Sequence, residues 1–120
     1  MSHPFEEFRE QREAGNAKAL ETNNLLTKRF FSLDKQAFSD GALDARTKEL
    51  IGLAVSLALR CNDCVDYHLE GSVTAGFTKE EIDEAMGIAT LIGGSIVIPH
   101  LRHAAQSLEF LLEEREQQSK

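Results

Sequence analysis

The stretch ELIGLAVSLALRCNDCVDYH, which runs from Glu49 to His68, decides both the fold class and the chemistry of this chain. Its first half, from Leu50 to Leu59, contains no charged residue and predicts a helix that is apolar on every side. Its second half holds the only two cysteines of the chain, Cys61 and Cys64. The same short segment is therefore a candidate for the core of the fold and for a reactive site.

The two cysteines and the histidine that follows them have the spacing of a redox site. On a continuous helix, Cys61, Cys64 and His68 fall within about 60° of one another, so their side chains share one face. The thiolate is the nucleophilic form of cysteine, and a nearby base or helix N-terminus favours it. The second thiol then captures the first product as a disulfide. Asn62 and Asp63 are good N-cap residues, so a helix could also restart between the cysteines.

Glu49 is a further candidate, whose placement depends on how the helix continues. On an unbroken helix Glu49 lies about 120° away from Cys61, on a different face. With a bend near Cys61 it could turn towards the sulfur atoms. Taken alone, Glu49 is an ordinary acidic residue in the first turn of a helix.

A zinc site is an alternative reading of the same residues. Its four ligands would be Cys61, Cys64, His68 and one of His100 or His103. The compact spacing does not resemble that of the usual zinc fingers, and we expect no bound metal. Outside a zinc site, the two later histidines are expected in the first turn of the last helix.

The rest of the chain also predicts helices, giving an all-α fold of five or six helices without a sheet. Ser39-Asp40-Gly41 marks a turn, and Ser95–Ile98 is expected to form a bend or an irregular helical turn. The expected helices are Pro4 to about Leu26, Arg29 to Ala42, Ala45 to Leu59 with Asp44 as N-cap, Arg60 to Thr74, Thr78 to about Ile92, and His100 to about Arg115 after Pro99.

Composition limits the domain count and the classes of partner. The 120 residues, 42% of them hydrophobic, suit a single globular domain spanning residues 1–120. A net charge of −7 repels phosphate groups, so neither nucleic acid nor a membrane surface is an expected partner. The acidic start, MSHPFEEFREQRE, does not resemble a signal peptide, and no apolar stretch is long enough to span a membrane. We therefore expect a cytoplasmic protein.

The helix at residues 45–59 predicts a homo-oligomer. Large aliphatic side chains point in all directions around it, and one small domain rarely encloses such a helix. Either it is a central core helix, or one of its sides meets a second subunit. The sparse apolar positions of residues 4–26 favour the second interpretation.

The combined motif resembles the AhpD-like, carboxymuconolactone decarboxylase-like family. The motif is Glu49, eleven further residues, Cys61-Asn62-Asp63-Cys64, and then His68. The following TKEEIDEAMGIATLIGG resembles the next helix of that family. The resemblance covers residues 43–112, which would form the motif-bearing core of a single AhpD-like domain.

This resemblance implies a thiol-dependent peroxidase or disulfide reductase that acts in antioxidant defence without a cofactor. Cys64 would attack the peroxide and Cys61 would be the resolving thiol that faces the reductant. Glu49 and His68 would form a proton relay to Cys64 through a water molecule. The implied partners are a peroxide substrate, a lipoyl or thioredoxin-like dithiol reductant, and further copies of the chain in a homotrimer or homohexamer.

Two alternatives accompany the resemblance. The family also includes a lactone decarboxylase, so a lyase is the alternative enzyme, although that branch does not depend on a cysteine pair. A non-enzymatic zinc-binding or interaction module is the other. One departure bears on the rate of peroxide reduction: well-known peroxidase members have a histidine between the cysteines, where this chain has Asp63. A negative charge beside the thiols disfavours their ionised form.

Overall fold

The computed structural model describes residues 3–22 and 24–119, which form six α-helices and one 3₁₀ turn and contain no strand. This confirms the predicted all-α fold. The helices are α1 (Pro4–Glu21), α2 (Leu25–Ala37), α3 (Ala45–Ala58), α4 (Asn62–Thr74), α5 (Lys79–Gly93) and α6 (Ile98–Gln118), with the 3₁₀ turn at Ser95–Val97. Over the described ranges, no helix has the length and hydropathy that crossing a membrane requires.

The chain divides into two compact units, and the first, Met1–Ala42, contains α1 and α2. The expectation that the first helix continues to Leu26 is wrong. It ends at Glu21, and α2 begins at Leu25 because the Oδ1 atom of Asn24 accepts a hydrogen bond from the Leu26 amide at 2.9 Å. An asparagine at the N-cap accepts a hydrogen bond from a first-turn amide that has no acceptor within the helix.

Helices α3 and α5 of the second unit, Leu43–Lys120, begin where their sequence signals predict. Helix α4 begins at Asn62 and not at Arg60, and α6 begins at Ile98 and not at His100. Asp44 caps α3 by accepting from the Thr47 amide at 2.7 Å. Hydrogen bonding from the Thr47 side chain, and then from this amide, lowers the pKa of the Asp44 carboxyl group. Thr78 and Glu81 form a reciprocal capping box at the start of α5. Glu81 accepts a hydrogen bond from the Thr78 amide, and this bond lowers the pKa of the Glu81 carboxyl group. Because these hydrogen bonds are local, the starts of α3 and α5 can be predicted from the sequence.

Helix α4 lies between α3 and α6. Helix α3 runs antiparallel to it: Arg46 near the start of α3 donates to the Ala75 carbonyl at the end of α4, at 3.0 Å. Helix α6 runs parallel to it: Arg115 near its end donates to the carbonyls of Val73 and Phe77, at 3.1 and 2.9 Å. The fully buried side chains of this unit include Leu53, Leu57, Val65, Leu69, Ile82, Met86 and Val97.

Helix α3 is buried on one side and exposed to solvent on the other. Leu53 and Leu57 have no exposed surface, whereas Ile51, Val55 and Leu59 are exposed. The three exposed positions follow one another at intervals of four residues and so form one stripe along the helix. The side of α3 that bears Leu53 and Leu57 is therefore a core side, and no residue within 3–22 or 24–119 covers the opposite stripe.

Candidate functional site: a dithiol beside a carboxylate–imidazole pair

Cys61 and Cys64 form a disulfide at the start of α4, with their Cα atoms 5.3 Å apart. Cys61 is itself the N-cap residue: its Sγ atom accepts a hydrogen bond from the Cys64 amide at 3.2 Å. The expectation that Asn62 or Asp63 caps this helix is therefore wrong. Because α4 starts at Asn62, both sulfur atoms lie at its N-terminal end, where the first amides of the helix and the helix dipole favour negative charge.

Arg60 makes the turn that separates α3 from α4. Its φ of 62° lies in the left-handed region, where a residue other than glycine costs about 1–2 kcal/mol. The Arg60 amide donates to the Leu57 carbonyl at 3.0 Å and the Cys61 amide to the Ser56 carbonyl at 3.1 Å. These two bonds are those of the Schellman motif. Gly76 closes α4 by the same pattern, with the glycine that this position normally requires.

The turn at Arg60 reverses the chain and brings Glu49 of α3 against His68 of α4. Glu49 Oε2 lies 3.0 Å from His68 Nδ1, and the two side chains are only 22% and 15% exposed. The Tyr67 ring packs edge-on against the His68 ring, with their centres 5.0 Å apart. Glu49 thus turns inwards onto His68, which the reversal of the chain at Arg60 makes possible.

The chemistry of this pair follows from its hydrogen bond. A carboxylate only accepts hydrogen bonds, so His68 Nδ1 carries the ring proton and donates a hydrogen bond to Glu49 Oε2. In the neutral ring, Nε2 then holds the lone pair and can act as a base. His68 lies four residues after Cys64 on α4, which places the two side chains on one face of the helix, one turn apart. A base in this position lies one helical turn from the thiol that Cys64 carries when the disulfide is reduced.

A second group of polar contacts joins α4 to α6, and it was not predicted from the sequence. The buried carboxylate of Asp66 accepts from Ser107 Oγ at 2.7 Å and from His103 Nε2 at 2.9 Å. His100 Nδ1 lies 2.8 Å from Asn62 Oδ1. Two donors offset the cost of burying the Asp66 charge.

The positions of His100 and His103 bear on the zinc alternative. Each contacts its own partner on α4, and neither is grouped with the cysteines. In the part of the chain that the structure describes, no three His, Cys, Asp or Glu side chains come together as metal ligands do. A signal for these contacts does exist in the sequence: His100, His103 and Ser107 share one face of the last helix, and Asn62 and Asp66 share one face of α4.

Comparison with known proteins places the chain in a family. The model of the carboxymuconolactone decarboxylase family matches residues 24–107. Among solved structures, TM1620 from Thermotoga maritima, a member of this family with a suggested role in the antioxidative response, superposes with a TM-score of 0.89. It is 48% identical, and the match covers 95% of this chain and 97% of that one.

Two curated relatives complete the comparison. "Uncharacterized protein 4 in cox locus" of Paracoccus denitrificans is 38% identical over 80 residues, which are 67% of this chain and 72% of that protein. The alkyl hydroperoxide reductase AhpD of Coxiella burnetii is 32% identical over 63 residues, which are 52% of this chain and 36% of that protein. From the family match and the Paracoccus relative together, the chain belongs to the carboxymuconolactone decarboxylase family.

Proposed function

We propose that this protein is a thiol-dependent peroxidase in which Cys64 attacks the peroxide, Cys61 resolves the product, and a dithiol donor restores both thiols. One observation carries the proposal: the Cys61–Cys64 disulfide lies one helical turn before His68, which is bound to Glu49. The partial match to AhpD of Coxiella burnetii supports the same reading.

The first step needs a thiolate at Cys64. His68 Nε2 takes the thiol proton through a water molecule, and Glu49 stabilises the imidazolium that results. The thiolate then attacks the terminal oxygen of the peroxide. The S–O bond forms as the O–O bond breaks, the sulfur is oxidised to a sulfenic acid, and the alkoxide leaves as the alcohol after taking up a proton.

The second step regenerates the enzyme through the disulfide. The Cys61 thiol attacks the sulfenic sulfur of Cys64, and water leaves as the disulfide forms. A dithiol donor then reduces the disulfide by two exchange steps and becomes oxidised itself. Cys61 lies at the N-terminus of α4, where its ionised form is stabilised, which suits it to the resolving role.

A coupled turnover assay tests this proposal. Reduced protein is mixed with hydrogen peroxide, tert-butyl hydroperoxide or cumene hydroperoxide, with dihydrolipoamide or reduced thioredoxin as the donor. We expect continuous peroxide consumption that depends on both the donor and the protein. Conversion of carboxymuconolactone without any peroxide turnover would overturn the proposal in favour of a lyase.

We further propose that the protein assembles through the exposed apolar stripe of α3. Ile51, Val55 and Leu59 are 45%, 52% and 72% exposed in the single chain. Helix α5 presents a comparable stripe at positions i, i+3 and i+4, in which Ile88, Leu91 and Ile92 are 60%, 82% and 77% exposed. Burying one large aliphatic side chain contributes roughly 1.5–3 kcal/mol, so these stripes favour association with further copies of the chain. A homotrimer or homohexamer is the assembly that we expect.

Light scattering coupled to size exclusion at micromolar concentration measures the assembly. We expect a mass near three or six times 13.3 kDa. Val55→Glu places a charge in the stripe and is expected to give a smaller, still helical species. Gln106→Glu, at an exposed position of α6, is the matched control and should keep the assembly. A wild-type mass near 13.3 kDa would refute this proposal.

A further inference from the structure

We propose that Gly52 and Gly71 are positioning residues that form a notch for the Glu49–His68 pair. The notch consists of the Cα surfaces of these two glycines, one on α3 and one on α4. Its effect on thiol reactivity rests on the proposed function, whereas its effect on packing does not.

The Gly71 side of the notch receives the Glu49 carboxylate. A Cβ atom built on Gly71 would lie 2.6 Å from Glu49 Cδ and 3.2 Å from Glu49 Cγ, and it would overlap Oε2 as well. Real Cβ atoms essentially never lie within 3.0 Å of a neighbouring heavy atom, so the first of these distances cannot be kept. Any side chain at position 71 therefore displaces the carboxylate from its present place.

The Gly52 side of the notch receives the His68 ring. A Cβ atom built on Gly52 would lie 2.9 Å from Nδ1, 2.9 Å from Cε1 and 3.0 Å from Cγ of that ring. Three nearly equal distances mean that the ring presents its face to Gly52. A methyl group there would push the imidazole away from α3 and lengthen its contact with Glu49.

The register of the two helices explains why both positions lack a side chain. Gly52 follows Glu49 by three residues on α3, and Gly71 follows His68 by three residues on α4. Positions three apart are neighbours on one helix face, so each glycine lies beside one member of the pair and beneath the other. The antiparallel packing of α3 on α4 makes this exchange reciprocal.

Glycine occupies both positions although it destabilises the interior of a helix. Both residues lie inside helices, where glycine is a poor helix former. Gly87, inside α5, differs from both: a Cβ atom there would meet nothing within 4 Å. Gly87 is therefore a matched control for the effect of helix propensity alone.

The functional test uses the Cys61→Ser background, which leaves Cys64 as the single thiol. The rate of Cys64 alkylation by iodoacetamide is measured against pH for Gly71→Ala and Gly87→Ala. Because the carboxylate is displaced in the first variant, we expect its alkylation at pH 7 to slow on the order of 10²-fold. Gly87→Ala should leave the whole pH curve unchanged. A Gly71→Ala curve that overlays that of the Cys61→Ser parent overturns the proposal.

A thermal-melting cycle tests the notch independently of any activity. Gly71→Ala is made with Glu49 present and again together with Glu49→Ala, which removes the side chain from the notch. We expect the substitution to raise the melting temperature more in the Glu49→Ala background, because the new methyl group then meets no carboxylate. Gly87→Ala should shift it equally in both backgrounds. Equal shifts for Gly71→Ala would overturn the notch, whatever reaction the protein catalyses.

Discussion

Replacement of Cys64 by serine is expected to abolish peroxide consumption by the reduced protein. Serine keeps the size and the helical position of the residue but lacks a thiolate, and a serine hydroxyl does not attack an O–O bond at neutral pH. Because Cys61 lies at the N-cap and not one turn before His68, we do not expect it to replace Cys64 in this step. The measurement is the loss of tert-butyl hydroperoxide over time with dihydrolipoamide as donor.

The Cys61→Ser variant is the matched partner of that experiment. Its Cys64 thiol still reacts once, so one equivalent of peroxide is consumed and turnover then stops. The sulfenic acid stays on Cys64, where dimedone labelling and mass spectrometry detect it. Labelling of Cys61 in Cys64→Ser, with no label on Cys64 in Cys61→Ser, would reverse the two roles. Unchanged turnover in both variants would remove the dithiol from the reaction.

Loss of the Glu49–His68 pair is expected to slow the same thiol without stopping it. Glu49→Gln keeps the shape of the side chain but removes the carboxylate, and His68→Asn removes the base. Each is expected to slow Cys64 alkylation at pH 7 on the order of 10²-fold, the lower end of a general-base contribution. The measurement is the alkylation rate across a pH series, in which the curve should move to higher pH.

The chain supplies its own control for this prediction in a second carboxylate–imidazole pair, Asp66 and His103. Asp66 lies two residues after Cys64, roughly 160° round α4 from it, so this pair does not share the face of the thiol. His103→Asn should therefore leave the alkylation curve in place, while Asp66 keeps its hydrogen bond from Ser107. Curves for Glu49→Gln and His68→Asn that overlay that of the wild type would exclude both residues from the proton transfer.

The fold was predictable where a helix end depends on its own neighbours. Two helices begin at the N-caps Asp44 and Thr78, and Gly76 closes α4. The hydrogen bonds at these ends reach only a few residues, so each end can be predicted from the local sequence. The break between α1 and α2 was missed because Leu25 and Leu26 continue the sparse apolar pattern of α1. The cap at Asn24 outweighs that pattern.

The site was predictable from the sequence where its residues lie on one helix, and not where they come from different helices. The spacing of Cys64 and His68 within one helix places them together without knowledge of the fold. The contact between Glu49 and His68 needs the reversal at Arg60, whose left-handed conformation no sequence rule assigns to an arginine. The contact between Asp66 and His103 spans 37 residues and depends on the parallel packing of α6 on α4. Such contacts follow from tertiary packing, which local spacing does not determine.

Thiol titration before and after one equivalent of peroxide shows whether Cys61 and Cys64 are oxidised together by the substrate. Protein is reduced, freed of reductant in the presence of a chelator, and mixed with one equivalent of tert-butyl hydroperoxide. We expect two titratable thiols before the addition, none after it, and a Cys61–Cys64 disulfide in the peptide map. Two thiols that remain titratable after the peroxide has been added would contradict the proposed peroxidase reaction.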